Sequence, residues 1–198
     1  RSKLTTLSKE GERHMTQNIE PKGIMPLEQA DAKLKFIQKT LFDKSNGAMY
    51  VNSFDPAFPP QKTVRDDGII IENDVKYGEQ FPNSYLDVYY KESDTPRPTY
   101  FYFHGGGFFM GHKHIGDPIA IKTADNLSFI SVLVENGFNV VNVDYALTPD
   151  YRFPVQLIQM NEAIRYVVDN KEKWGIDDRN IIIGGGSAGA DMSEIYGM

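Results

Sequence analysis

The stretch that most restricts this chain is Ile181-Ile182-Ile183-Gly184-Gly185-Gly186-Ser187-Ala188-Gly189-Ala190. Three β-branched residues predict the end of a buried strand, the glycines a tight turn, and the small residues after Ser187 the first turn of a helix. Gly185, Ser187 and Gly189 match G-x-S-x-G, a pattern that sets a serine on a strand-to-helix corner with strained backbone and exposed hydroxyl. Glycine suits positions 185 and 189 because side chains there would collide where strand and helix nearly touch. The following helix aims free N–H groups and its positive dipole end at the serine, an arrangement suited to an oxyanion. The same letters also fit G-x-G-x-x-G at Gly184, Gly186 and Gly189, the start of a dinucleotide site, and they fit a purely structural turn.

A second motif weighs against both alternatives. Tyr100-Phe101-Tyr102-Phe103-His104-Gly105-Gly106-Gly107-Phe108 predicts a buried aromatic strand running into a loop of bare backbone. Bare backbone offers N–H donors with no side chains in the way, which a tetrahedral oxyanion requires. From His104 to Ser187 there is room for two helices and one strand, so the two motifs can follow the third and fifth strands of one sheet.

Between them lies Asp144-Tyr145-Ala146-Leu147-Thr148-Pro149, continued as Asp150-Tyr151-Arg152-Phe153-Pro154. With H-G-G-G, D-Y-x-L-x-P and G-x-S-x-G in this order, the chain resembles the hormone-sensitive-lipase-like esterases over roughly residues 62 to 198. It departs from their pattern at Gly186, where an acidic or polar residue is usual, at Ala190 and at Ala146. The resemblance implies an α/β-hydrolase fold: a doubly wound, mostly parallel sheet with an antiparallel start. It implies Ser187 as nucleophile and the N–H groups of Gly106, Gly107 and Ala188 as the oxyanion hole. His104, Gly105, Gly185 and Gly189 then support the two turns, and His104 shapes its loop without moving protons. The implied substrate is a small carboxylic ester, and neither metal nor organic cofactor is called for. In this fold the triad runs Ser, then Asp or Glu, then His. The last two members are therefore expected beyond Met198, the chain stopping after the elbow strand and being nearly inactive alone. Asp191 and Glu194, the carboxylates after Ser187, read as first-turn helix residues. Two other classes stay open: a hydrolase-like protein that binds a ligand without turning it over, and a dinucleotide-binding oxidoreductase.

Composition narrows the field further. A length of 198 residues suits one well-buried domain, and 40% hydrophobic residues with 12 Phe and 11 Tyr suit a globular enzyme. A net charge of −6 argues against general nucleic-acid affinity, which needs a basic face. No apolar run approaches the ~20 residues of a membrane span. With no cysteine, disulfides and thiolate metal sites are excluded. No secretory segment is visible, which favours the cytoplasm.

In chain order, residues 1–25 predict a flexible arm, and 26–61 an N-terminal helix over about 27–44 plus a proline-rich connection, a candidate part of a cap. Residues 62–198 predict the N-terminal portion of the hydrolase domain. Strands are expected over 63–77, 84–91, 99–103 and 138–143, and helices over 119–136 and 154–173, the latter burying Ile158, Ala163, Ile164, Val167 and Val168. Ile176 to Asn180 reads as a polar turn. His112 and His114 lie two apart in a loop near the pocket mouth without an evident third metal ligand. Asp144 reads as a structural residue that fixes its loop through backbone N–H groups.

Overall fold

The computed structural model describes residues 25–41, 61–113 and 129–198. Six strands form one sheet: β1 (Lys62–Val64), β2 (Ile70–Lys76), β3 (Tyr85–Tyr90), β4 (Arg97–Phe103), β5 (Asn139–Val143) and β6 (Ile176–Gly185), in spatial order β1-β2-β3-β5-β4-β6. Pairings from β1 through β3 to β5 are antiparallel, while β4 runs parallel to both β5 and β6. The sheet is thus mixed, and its two halves follow from the connections. Short turns between β1, β2 and β3 permit only antiparallel neighbours, whereas the parallel strands are joined by long crossovers.

Five helices are described: α1 (Leu27–Leu41), α2 (Phe129–Glu135), α3 (Val155–Asp169), α4 (Lys171–Trp174) and α5 (Ala188–Gly197). Side chains alternate across β5 and feed two cores. Val140 packs with Ile69, Ile130 and Val134 under α2, whereas Val141 and Val143 join Phe101, Phe103, Met160, Ala163, Val167 and Met192 on the other face. The sheet is covered on both sides, as its nearly continuous apolar central strands require.

Several sequence expectations shift. Ile176–Asn180 belongs to β6, because Ile176 pairs with Arg97 before a register irregularity carries the polar residues out and pairing resumes at Ile181 with Thr99. Ile182 is 44% exposed rather than buried, since β6 lies at the edge of the described sheet. Ile158 is also exposed, because the covered stripe of α3 runs through Gln156, Gln159, Met160, Ala163, Ile164 and Val167 at spacings of three and four. The helix expected over 154–173 breaks at Asn170 into α3 and α4, and Gly175 ends α4 in the left-handed conformation. The arm over 1–24, the connection over 42–60, His114 and the first part of the helix expected from 119 lie outside the described residues. Among the described residues no helix is long and apolar enough to cross a membrane.

Candidate active site

The two glycine motifs meet because their strands are neighbours. β4 and β6 are parallel with Phe103 opposite Gly185, so the loops leaving them emerge side by side at the carboxyl edge of the sheet. Val143 lies opposite Phe103 on the other side, which brings the Asp144 loop to the same edge. Open α/β sheets place their sites at such an edge, where the strand order reverses.

The corner at Ser187 is as tight as its letters predict. A Cβ on Gly189 would lie 1.9 Å from the Phe103 carbonyl oxygen, and one on Gly185 2.4 Å from the same atom. Gly186 N–H donates to that oxygen at 3.2 Å, tying the corner to β4. Ser187 itself has φ 49° and ψ −115°, a strained setting for a residue with a side chain, and it stands exposed immediately before α5. Asp191 N–H donates to the Ser187 carbonyl within the first turn.

The opposing loop turns back on itself. Gly106, Gly107 and Phe108 all have positive φ, and Phe109 and Met110 N–H groups both donate to the Gly106 carbonyl. A Cβ on Gly105 would meet Gly186 O at 2.8 Å and the Ser187 Cβ at 3.3 Å, so this loop's backbone touches the serine corner directly. Gly111 then passes over the root of the loop, where its Cβ would meet Gly105 O at 2.5 Å. Among the described residues, the N–H groups of Gly106, Gly107 and Ala188 donate to no backbone carbonyl.

His104 anchors the loop from beneath. Its Nδ1 lies 2.7 Å from the Gly105 carbonyl, which can only accept, so Nδ1 carries the proton. Nε2 lies 3.7 Å from Asp144 Oδ1, but burial lowers the His104 pKa to about 4, so the ring is neutral near pH 7 and the two groups are not an ion pair. The ring stacks on Tyr145 at 4.1 Å, and the Tyr145 hydroxyl donates to the His104 carbonyl at 2.6 Å. His104 is therefore a structural member of the site.

Other residues also hold this edge. Asp144 Oδ1 accepts the Lys113 N–H at 2.5 Å, the structural role expected of Asp144. Tyr77 OH donates to the Asp144 carbonyl at 2.6 Å, and burial raises its pKa. From α3, the Gln159 side chain accepts Ala146 N–H while Gln156 donates to the Ala146 carbonyl, fixing the D-Y-A-L loop by both backbone groups. Thr148 N–H in turn donates to Phe108 O at 2.8 Å. Lys113, next to His112 in the loop, is fully buried with its ammonium 2.6 Å from Asp74 and 2.8 Å from Asp87. Burial opposes that charge, yet Asp87, Asp144 and Asp74 together raise the Lys113 pKa. No cluster of His, Cys, Asp or Glu that could hold a metal occurs among the described residues, and His112 is half-buried.

Comparison with known proteins agrees with this architecture. The family model described as BD-FAE matches residues 86–198. Arylacetamide deacetylase of Oryctolagus cuniculus is 32% identical over 107 residues, 52% of this chain and 25% of that protein. Carboxylesterase NlhH of Mycobacterium tuberculosis is 33% identical over 98 residues, 50% of this chain and 28% of that protein. The chain therefore spans about a quarter of the length of these relatives. Among solved structures, esterase B from Lactobacillus rhamnosis superposes with a TM-score of 0.57 at 21% identity over 88% of this chain and 55% of its own, a likeness of fold. Sheet order, the three loops at one edge and the match over residues 86–198 converge: the chain belongs to the BD-FAE family, among the hormone-sensitive-lipase-like α/β-hydrolases.

Proposed function

We propose that this chain carries the nucleophile and the oxyanion hole of a carboxylic ester hydrolase acting on small-molecule esters. The observation that carries the reading is the contact of the Gly105 backbone with the Ser187 corner, 3.3 Å from a Gly105 Cβ position to Ser187 Cβ. A carbonyl attacked by Ser187 Oγ is then flanked by the N–H groups of Gly106, Gly107 and Ala188. Attack forms the C–O bond to serine and moves the carbonyl electron pair onto oxygen. Each donor aimed at that oxyanion contributes about 3–4 kcal/mol of barrier lowering. Collapse expels the alcohol and leaves an acyl-serine, which water hydrolyses to the acid.

Both steps need a base to take and return a proton, since a serine hydroxyl is a weak nucleophile unaided. His104 is unsuited: it is buried, neutral and committed to Gly105 O. The base and the carboxylate that orients it are assigned to sequence outside this chain, in keeping with the quarter-length match to the relatives. Within this reading residues 62–198 are the nucleophile-bearing portion of the hydrolase domain. α1 belongs to a cap, held to the Asp150–Arg152 segment that follows the D-Y-A-L-T-P loop by Lys35–Asp150 at 2.8 Å and by Arg152–Asp31.

Hydrolysis of p-nitrophenyl acetate, measured for this chain and for the full-length protein, tests the proposal. The expected outcome is ester turnover by the full-length protein and at most slow release by the chain alone, since sites without a triad retain only about 10³–10⁴ over water. Absence of turnover, together with no labelling of Ser187 by a fluorophosphonate in the full-length protein, overturns it in favour of a ligand-binding protein.

A further inference from the structure

The loop between His104 and Lys113 makes its own turns but no ladder with the sheet, so something must fix its far end. Its root is held by Tyr145 and its middle by Thr148. Its end is held at Lys113, by four bonds to three strands or strand ends. Lys113 N–H donates to Asp144 Oδ1 and Lys113 O accepts from Asn142 Nδ2 at 3.1 Å. Its ammonium reaches Asp74 Oδ1 and Asp87 Oδ1, on β2 and β3.

The receiving side is built for this contact. Asp74 sits where the β2–β3 register slips between Glu72 and Val75, with φ 57°, and its N–H donates to Asp87 Oδ1 at 2.8 Å. A bulge re-aims a side chain, and a non-glycine residue at positive φ carries a strain that its surroundings must offset. Here the carboxylate is buried, and the ammonium of Lys113 beside it offsets the cost of that burial. Asp87 is fully buried and Asp74 nearly so, and Lys113 is the cation they share.

We propose that Lys113 is a positioning residue for ester hydrolysis: its clamp on Asp74 and Asp87 holds the Gly106 and Gly107 N–H groups in register with Ser187. This rests on the proposed function for its catalytic consequence, but the clamp on the loop is a separate physical claim. Lys113 touches no reacting atom. It acts by closing the loop at the opposite end from His104, so that Gly111 is pressed onto Gly105.

Truncating Lys113 alone removes the ammonium that two buried carboxylates share and endangers folding, so the informative variant is the triple K113M/D74N/D87N. Replacing a buried ionic cluster by neutral groups of similar size commonly spares stability, whereas removing one partner does not. In the full-length protein the triple variant is expected to keep its Tm within a few degrees of the parent. Amide hydrogen exchange across residues 104–113 is expected to quicken at least tenfold, and kcat for p-nitrophenyl acetate to fall at least tenfold with KM changed less than threefold. Unchanged exchange in that segment overturns the clamp, and unchanged kcat with quickened exchange overturns its role in positioning. Failure of the parent to label with a fluorophosphonate overturns the esterase reading instead, and the exchange comparison still decides the clamp.

Discussion

The two glycine-rich turns at this edge of the sheet differ in what makes each one rigid. At the Ser187 corner, Gly185 and Gly189 are needed because the Phe103 carbonyl leaves no room for a Cβ, and the bonds that hold the corner run within a few residues or to the adjacent strand. In the His104–Lys113 loop, glycine at 106, 107 and 111 is needed for positive φ and for the chain to double back. That loop is held by side chains from remote parts of the chain: Tyr145, Thr148, Asp144, Asp74 and Asp87. One element carries its own rigidity, while the other borrows it. The Ser187 corner is therefore specified by a short stretch and its neighbouring strand, whereas the His104–Lys113 loop needs residues from most of the described domain.

The sharpest separation comes from removing the proposed nucleophile. S187A in the full-length protein is expected to lower ester turnover by a factor of about 10⁴ or more while leaving Tm near the parent's, because only the reacting group is lost. Kinetics with a melting curve checks both halves.

A second comparison contrasts glycines at the corner with glycines in open turns. G189A places a methyl 1.9 Å from Phe103 O and is expected to cost about 3 kcal/mol or more. G137A, at φ +90° with nothing within 4 Å, carries only backbone strain and is expected to cost about 1–2 kcal/mol. Urea unfolding of the two variants reads the difference, and equal costs would remove the steric account of the corner.

The loop answers to pH as well. With its pKa held near 4 by burial, His104 stays neutral in the folded protein while the unfolded chain binds a proton near pH 6.5. Between those values the unfolded state holds more protons, so the stability from neutral His104 is full above about pH 6.5 and is lost as pH falls towards 4. The loss amounts to about 3 kcal/mol and levels off below pH 4. Stability measured against pH in the parent and in H104Q checks this, the variant being expected to lose that slope.

The smallest effect is expected from Y145F, which deletes the donor to the His104 carbonyl and leaves that oxygen buried. A cost of about 1–2 kcal/mol is expected, together with faster exchange at residues 104–107 and no change at 185–189. Equal quickening of both segments would mean that the two turns are not independently held.

This division also explains how much was legible in the sequence. The Ser187 corner was readable because its constraints are local: Ile181 to Ile183 name a strand, Gly185 and Gly189 a close approach, and Ala188 a helix start. The aromatic strand Tyr100–Phe103 and the bare loop after it were readable for the same reason. Lys113 was not, because its partners lie 26 and 39 residues away and come within reach only once β2 bulges beside β3. Gln156 and Gln159 were not legible either, because the backbone groups of Ala146 that they bond come against them only once the D-Y-A-L loop folds onto the helix. Ile176–Asn180 was misread because pairing with Arg97 overrides the polarity of the segment, and Ile158 because one apolar residue off the stripe does not mark a face.

The central claim is that Ser187 Oγ and the Gly106–Gly107 backbone address the same acyl group. A crystal structure of the full-length protein after reaction with a fluorophosphonate tests it most directly. The account predicts phosphorus bonded to Ser187 Oγ and a phosphoryl oxygen about 2.7–3.1 Å from the N–H nitrogens of Gly106, Gly107 and Ala188. A phosphoryl oxygen turned away from those three amides, or an adduct on a different residue, would contradict it.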